Sequence, residues 1–257
     1  MTPIFANSAT VIVPEHLVLA RGSARRLRLG VRFGVFVHPT QGPVLIDTGY
    51  GPEVTSGKRS FPLWFYALIL KPRLEEQPET VLKRLGFATE DVKTVFITHF
   101  HADHVSGLRR FSNARFIAAG WEMLRRRTPF DQLRHGVFTE LLPADFEARL
   151  TPLESLPTVT LPYGLGEGRD VFGDGSILSL PLPGHALGHT GLIWPDAKLI
   201  YAADAQWLRQ AMRENRPPKG PARWVYEDEA EMRQSLDVLR RAEAAGCDIV
   251  FCHDVVK

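Results

Sequence analysis

Short apolar bursts separated by turn residues run along most of this chain. Val31-Arg32-Phe33-Gly34-Val35-Phe36-Val37 and Val44-Leu45-Ile46 predict two strands joined at Gly42-Pro43. Asp47-Thr48-Gly49 closes the second. Residues 50–77 show no period, are rich in Gly, Pro and aromatics, and are too long for a plain connector. Pro78 opens a helix carrying Val81, Leu82 and Leu85, with Gly86 as its stop. Val95-Phe96-Ile97 predicts a buried strand, His104 to Arg110 a helix, Arg115-Phe116-Ile117-Ala118 a strand and Trp121 to Arg127 another helix. Two hairpins follow, one turning at Gly173-Asp174-Gly175 between Asp170-Val171-Phe172 and Ser176-Ile177-Leu178. The other turns at Pro195-Asp196 between Leu192-Ile193-Trp194 and Leu199-Ile200-Tyr201. The clearest helical stripe is Met232, Leu236 and Leu239 within Glu227 to Ala245, and Ile249-Val250-Phe251 makes a final strand. Mixed strands and helices predict an α+β, sheet-centred domain with helical outer layers, read as one domain over residues 1–257.

Composition narrows this. The chain has 257 residues, 44% of them hydrophobic and 23% charged, values that exclude a disordered chain or a coiled coil. The 31 basic and 29 acidic side chains nearly cancel, which argues against nucleic acid as a partner. Cys247 and Cys252 do not form a disulfide framework, and Met1 to Ala20 lacks a signal-peptide pattern, so a reduced, cytoplasmic setting is expected. The longest apolar stretch, Phe61 to Leu70, is half of what a transmembrane helix needs.

The candidate chemistry sits in Thr98-His99-Phe100-His101-Ala102-Asp103-His104, which packs three histidines and an aspartate into six residues just past a strand. Imidazole and carboxylate donors at this density suit Zn²⁺, or Fe or Mn in a mixed site. The competing explanation is a polar surface loop. Against it, His185, Asp204 and His253 also each follow a predicted strand, so side chains leaving one sheet edge can converge. His16, His38 and His135 match nothing and are expected on the surface. Arg25-Arg26 and Arg125-Arg126-Arg127 are expected to be solvated. Phe61-Pro62-Leu63-Trp64-Phe65-Tyr66 is either a short helix closing a core or a wall of the active-site mouth. Contact with a membrane surface is a third reading.

Taken in order, Asp47-Thr48-Gly49, the His99 to His104 motif, Pro183-Gly184-His185, Asp204 and His253 resemble the metallo-β-lactamase superfamily over nearly the whole chain. The resemblance implies a four-layer αββα sandwich holding two Zn²⁺ ions. It implies a first ion on His99, His101 and His185 and a second on Asp103, His104 and His253, bridged by Asp204. Asp47 would support the cluster from behind, with His189 beside it. Gly184-His185-Ala186-Leu187-Gly188-His189-Thr190-Gly191, Asp204-Ala205 and Cys252-His253-Asp254 are similar to the N-acyl homoserine lactonases in particular. One departure is Trp207, where the best-known lactonases carry a tyrosine that hydrogen-bonds the substrate carbonyl.

The implied activity is hydrolysis of a lactone or related ester, with Asp103 or Asp204 returning a proton to the leaving group. The pocket would be lined by Trp207, Phe61, Trp64, Phe65 and Tyr66, and homodimer formation is left open. The alternatives are a thioester hydrolase resembling glyoxalase II, a mononuclear iron protein resembling the persulfide dioxygenases, and a metal-binding domain without catalysis.

Overall fold

The computed structural model describes residues 2–218, 223 and 225–256. Its strands are β1 (Ile4–Pro14), β2 (Arg26–His38), β3 (Gly42–Ile46), β4 (Arg73–Leu74), β5 (Thr94–Phe96), β6 (Arg115–Ala118), β7 (Leu150–Pro152), β8 (Thr158–Thr160), β9 (Glu167–Arg169), β10 (Leu178–Pro181), β11 (Thr190–Trp194), β12 (Leu199–Ala203) and β13 (Asp248–Phe251). Seven form one sheet in the order β4-β1-β2-β3-β5-β6-β7, four form a second in the order β10-β11-β12-β13, and β8 and β9 make a ribbon. The pairs β3–β5, β5–β6 and β6–β7 are parallel. Parallel strands covered on both faces lose hydrophobic alternation, and Val44, Leu45 and Ile46 are indeed all buried.

Apolar side chains divide into three clusters that define the layers. Phe36, Ile46, Phe96, Ile117, Trp194, Tyr201 and Ala203 fill the space between the two large sheets. Leu82, Val105 and Leu108 join the cluster on the outer face of the first sheet. On the second sheet, Leu236, Leu239 and Ala242 of helix Glu229–Ala244 pack against Ile200 and Ile249. The helix starts where the Asp228 carboxylate accepts from the backbone N–H groups of Ala230 and Glu231, at 2.7 and 2.9 Å.

Several elements differ from expectation. Strand β1 had no legible signal. Its buried positions include Ala6, Ser8, Ala9 and Thr10, small or hydroxylated residues that hide the alternation. Ser8 is satisfied locally, its Oγ donating to Val31 O and accepting from Tyr50 N. The stretch 50–77 is ordered. It contains helices Pro52–Thr55 and Phe61–Leu70 and strand β4, the second helix capped by Ser60 and stopped by Lys71 at φ 46°. That helix is apolar all round, so its sequence carries no face. Among the described residues no helix is long and apolar enough to cross a membrane.

The helix expected over His104 to Arg110 is a single turn, Ala102–Val105, followed by a 3₁₀ turn at Leu108–Arg110. The helix expected to run to Arg127 ends at Leu124. The first hairpin reduces to one bridge, Asp170 to Leu178, because the Asp170 carboxylate takes up the turn's N–H groups at Phe172, Gly173 and Gly175. Two surface expectations fail. His38 is buried, 2.8 Å from Asp174 and 3.1 Å from Ser176 through Nε2. Arg127 is paired with Glu227 across 100 residues of sequence.

Candidate metal centre

All the candidate donors stand beyond the C-terminal ends of strands, where the two large sheets meet. Asp47 follows β3, His99 to His104 follow β5, His185 follows β10, Asp204 follows β12 and His253 follows β13. The strand ends are tied together by Asp47 N donating to Phe96 O, Thr190 N to Thr98 O and Cys252 N to Ala203 O. Two of these positions carry backbone strain. Asp47 has φ 56° and Ala203 has φ 43°, both unusual for side-chain-bearing residues. The strain turns the chain sharply out of β3 and β12 and aims Asp47 and Asp204 inward.

Three imidazoles meet first. His99 Nε2 and His185 Nε2 lie 3.0 and 3.1 Å from His101 Nδ1. A second set lies alongside, with His253 Nε2 3.1 Å from Asp103 Oδ2 and His104 Nε2 3.8 Å from the same oxygen. Asp204 touches both sets. Its Oδ2 is 3.5 Å from His185 Nε2 and 3.1 Å from His253 Nε2, and its Oδ1 is 3.4 Å from His104 Nε2. Among the described residues, His104 Nε2 and Asp204 Oδ1 are buried without a hydrogen-bond partner. Buried polar atoms are normally satisfied, and inward-facing lone pairs at this density are what a cation satisfies. The residues therefore fit a pair of divalent ions. Cys252 Sγ also lies within reach of His104, Asp204 and His253, a donor that sequence reasoning passed over.

The outward nitrogens are anchored. His104 Nδ1 is 2.8 Å from Asp47 Oδ2, and the same carboxylate accepts from Thr98 N and Thr98 Oγ1, each at 2.8 Å. His253 Nδ1 donates to Gly30 O at 2.9 Å. His189 Nδ1 donates to Leu182 O at 2.8 Å, which leaves its Nε2 to accept from Asp204 N at 3.1 Å. This fixes the neutral tautomer of His189 and holds the backbone of Asp204.

The field is divided. Burial, then the neighbouring imidazoles, push His99 and His185 well below the ordinary histidine range. Burial brings His101 and His189 down to about 4, so these rings are neutral at pH 7. Burial also opposes charge on His104 and His253, but Asp47 and Asp103 outweigh it at His104, as Asp204 does at His253. Both end well above the usual value. Burial raises the Asp47 carboxyl, with His104 pulling it back. For Asp204, burial is outweighed by His253 and His104, which hold it well below the carboxylate range.

The loop carrying His185 depends on Gly184, at φ 110°. A Cβ there would stand 2.2 Å from Met232 N and 2.6 Å from Asp228 O. Gly184→Ala is expected to cost about 3 kcal/mol in steric and dihedral strain and to lower Tm by about 8 °C in a thermal melt.

The expected pocket residues separate. Trp207 lies at the centre, its ring 6.4 Å from His185 and 6.5 Å from His253. Tyr66 faces inward, its hydroxyl 2.5 Å from that of Tyr50 and close enough to Asp103 to feel its charge. Phe61, Trp64 and Phe65 face outward, Phe61 being 73% exposed, and both Trp64 and Phe65 stack on Phe61. Sequence reasoning missed Tyr50 and Tyr226. Tyr50 directly follows Asp47-Thr48-Gly49, whereas Tyr226 sits in a stretch with no periodic signal.

Residues 28–247 match the family described as the metallo-beta-lactamase superfamily, and the chain belongs to it. Within that superfamily its homologues are N-acyl homoserine lactonases, hydrolases acting on ester bonds. The chain is 28% identical over 246 residues to N-acyl homoserine lactonase AttM of Azorhizobium caulinodans, covering 93% of this chain and 88% of that one. It is 27% identical over 185 residues to an N-acyl homoserine lactonase of Bacillus cereus, covering 70% and 66%. Among solved structures, a mutant of Bacillus thuringiensis AiiA with N-decanoyl-L-homoserine bound superposes with a TM-score of 0.70 at 19% identity, over 98% of this chain and 92% of that one. The dizinc quorum-quenching lactonase AidC gives 0.64 at 13% identity, over 98% and 86%. These structural likenesses bear on the fold.

Proposed function

We propose that this protein is a dinuclear metal-dependent lactonase, with two zinc ions and an N-acyl homoserine lactone or related ester as substrate. The observation that carries this reading is the placement of Asp204, one carboxylate in contact with both histidine sets. His99, His101 and His185 would hold one ion. Asp103, His104 and His253 would hold the other, with Asp204 shared between them. A bound metal pair supplies a hydroxide at neutral pH and polarises the carbonyl it attacks.

The chain's own residues do the rest. Asp47, Thr98, His189 and the Gly30 carbonyl keep the ligand rings and Asp204 from turning. Asp103 or Asp204 would pass a proton to the leaving alkoxide when the ring C–O bond breaks. Trp207 stands beside His185 and His253, and its indole N–H would be the polar group it offers a substrate oxygen. The relatives named lactonases support the ester class.

Metal analysis of the purified protein together with turnover of a lactone panel tests the reading. Two ions per chain and lactone opening are expected. Two ions with inert lactones and hydrolysis of S-acyl glutathione would overturn the substrate class.

Acid should remove the ions in order. Raised proton affinity at His104 and His253 means that, as pH falls, protons compete there before they compete at the other set. His101 stays neutral down to about pH 4, so its set retains an ion longer. Metal content measured after dialysis is expected to step from two to one before it reaches zero. Simultaneous loss of both ions would contradict the divided field.

A further inference from the structure

One aromatic side chain at this centre has no role in the account above. The Tyr226 ring packs edge-on against His185 and Trp207, with centroids 5.9 and 6.1 Å away. Its hydroxyl is buried and has no hydrogen-bond partner among the described residues. Leaving a phenol unpaired costs stability, and nothing in the packing requires it, since phenylalanine would fill the same volume. An unpaired donor beside a reactive centre is explained if its partner arrives with the substrate.

The segment holding Tyr226 is built to keep it there. Glu227 N donates to Gly184 O and His185 O at 3.0 and 3.2 Å, and Asp228 N donates to Gly184 O at 3.0 Å. The phenol is thus stapled through two backbone groups to the loop that presents His185. Glu227 is further clamped by Arg127, whose Nη1 is 2.9 Å from Glu227 Oε2, with His135 Nδ1 3.5 Å from that same oxygen. A phenol keeps its proton at neutral pH, so the group acts as a hydrogen-bond donor and not as an acid that transfers it.

We infer that Tyr226 is a substrate-binding residue whose hydroxyl donates a hydrogen bond to a carbonyl oxygen of the ester, strengthening as that oxygen gains negative charge. The inference rests on the lactonase reading and adds a donor that comes from a different segment than Trp207. The bond exists only with substrate in place, so the free enzyme carries an unsatisfied group that the bound state relieves. No covalent change at Tyr226 is involved.

Tyr226→Phe separates this from a structural role, because the two predict opposite pairings of stability and activity. Removing an unsatisfied buried hydroxyl is expected to raise Tm by about 2 °C while metal content stays at the wild-type value. kcat/KM for the lactone is expected to fall about 30-fold, mostly in kcat, as for loss of a donor that strengthens in the transition state. Affinity for the ring-opened hydroxy-acid product, read by titration calorimetry, is expected to weaken about tenfold. Unchanged kcat/KM and product affinity in the variant would overturn the role of Tyr226 while leaving the lactonase reading intact. Wild-type protein that holds its metals but opens no lactone would overturn both. A lowered Tm with unchanged catalysis would make Tyr226 a packing residue.

Discussion

Asp204→Asn is expected to lower kcat/KM about a thousandfold and to take the metal content from two ions per chain to one. The substitution keeps the shape of the side chain and removes its charge. Asp204 is the group in contact with His185, His253 and His104 together, and its negative charge offsets the protonation-prone pair His104 and His253. An amide is neutral where the carboxylate is charged, so it is a far weaker partner for cations and cannot supply the shared negative charge that both sets face. A thousandfold corresponds to about 4 kcal/mol of lost transition-state stabilisation. Elemental analysis and steady-state kinetics read the two effects separately. Two retained ions with wild-type kcat would show that the two sets do not depend on a shared carboxylate.

Asp47→Ala is expected to be the most damaging single change to stability among the residues around the site. Asp47 is fully buried and accepts from three donors, Thr98 N, Thr98 Oγ1 and His104 Nδ1. Alanine leaves all three facing a cavity. Removing one partner of a buried, hydrogen-bonded charge pair costs about 3–5 kcal/mol, or about 10 °C in Tm for a chain of this size. His104 also loses the contact that fixes its ring, so metal affinity falls with stability. Asp47→Asn keeps one acceptor and should recover part of the loss. A melting curve within 2 °C of wild type for the alanine variant would contradict the arrangement.

The lactonase homologues do not by themselves account for Trp207. Its indole stands between His185 and His253 and has Tyr226 as its neighbour. On the function proposed above, donors to the substrate would come from two separate segments, one following β12 and one preceding helix Glu229–Ala244.

How much of this protein could be read from its chain depends on the range of each signal. The histidine-rich turn was legible because His99, His101, Asp103 and His104 lie within six residues of one another, and because a short apolar strand precedes them. His185, Asp204 and His253 were recognisable by the same strand-end position, and the helix at Glu229–Ala244 by its apolar stripe. Local period and local chemistry are properties of neighbouring residues, so they survive in the sequence. Strand β1 did not, since Ala6, Ser8, Ala9 and Thr10 are buried by what covers them and not by their own hydrophobicity. Helix Phe61–Leu70 was among the readings of its segment, but being apolar on every side it offered no face by which to choose between them. The tertiary structure alone decided which nitrogen of each imidazole faces inward and that Asp204 reaches both sets. It alone placed the Tyr226 ring against His185 and Trp207, its hydroxyl without a partner among the described residues. Most of those are contacts between residues separated by nineteen to more than two hundred positions, and their distances are set by how the two sheets pack, which no stretch of chain encodes by itself.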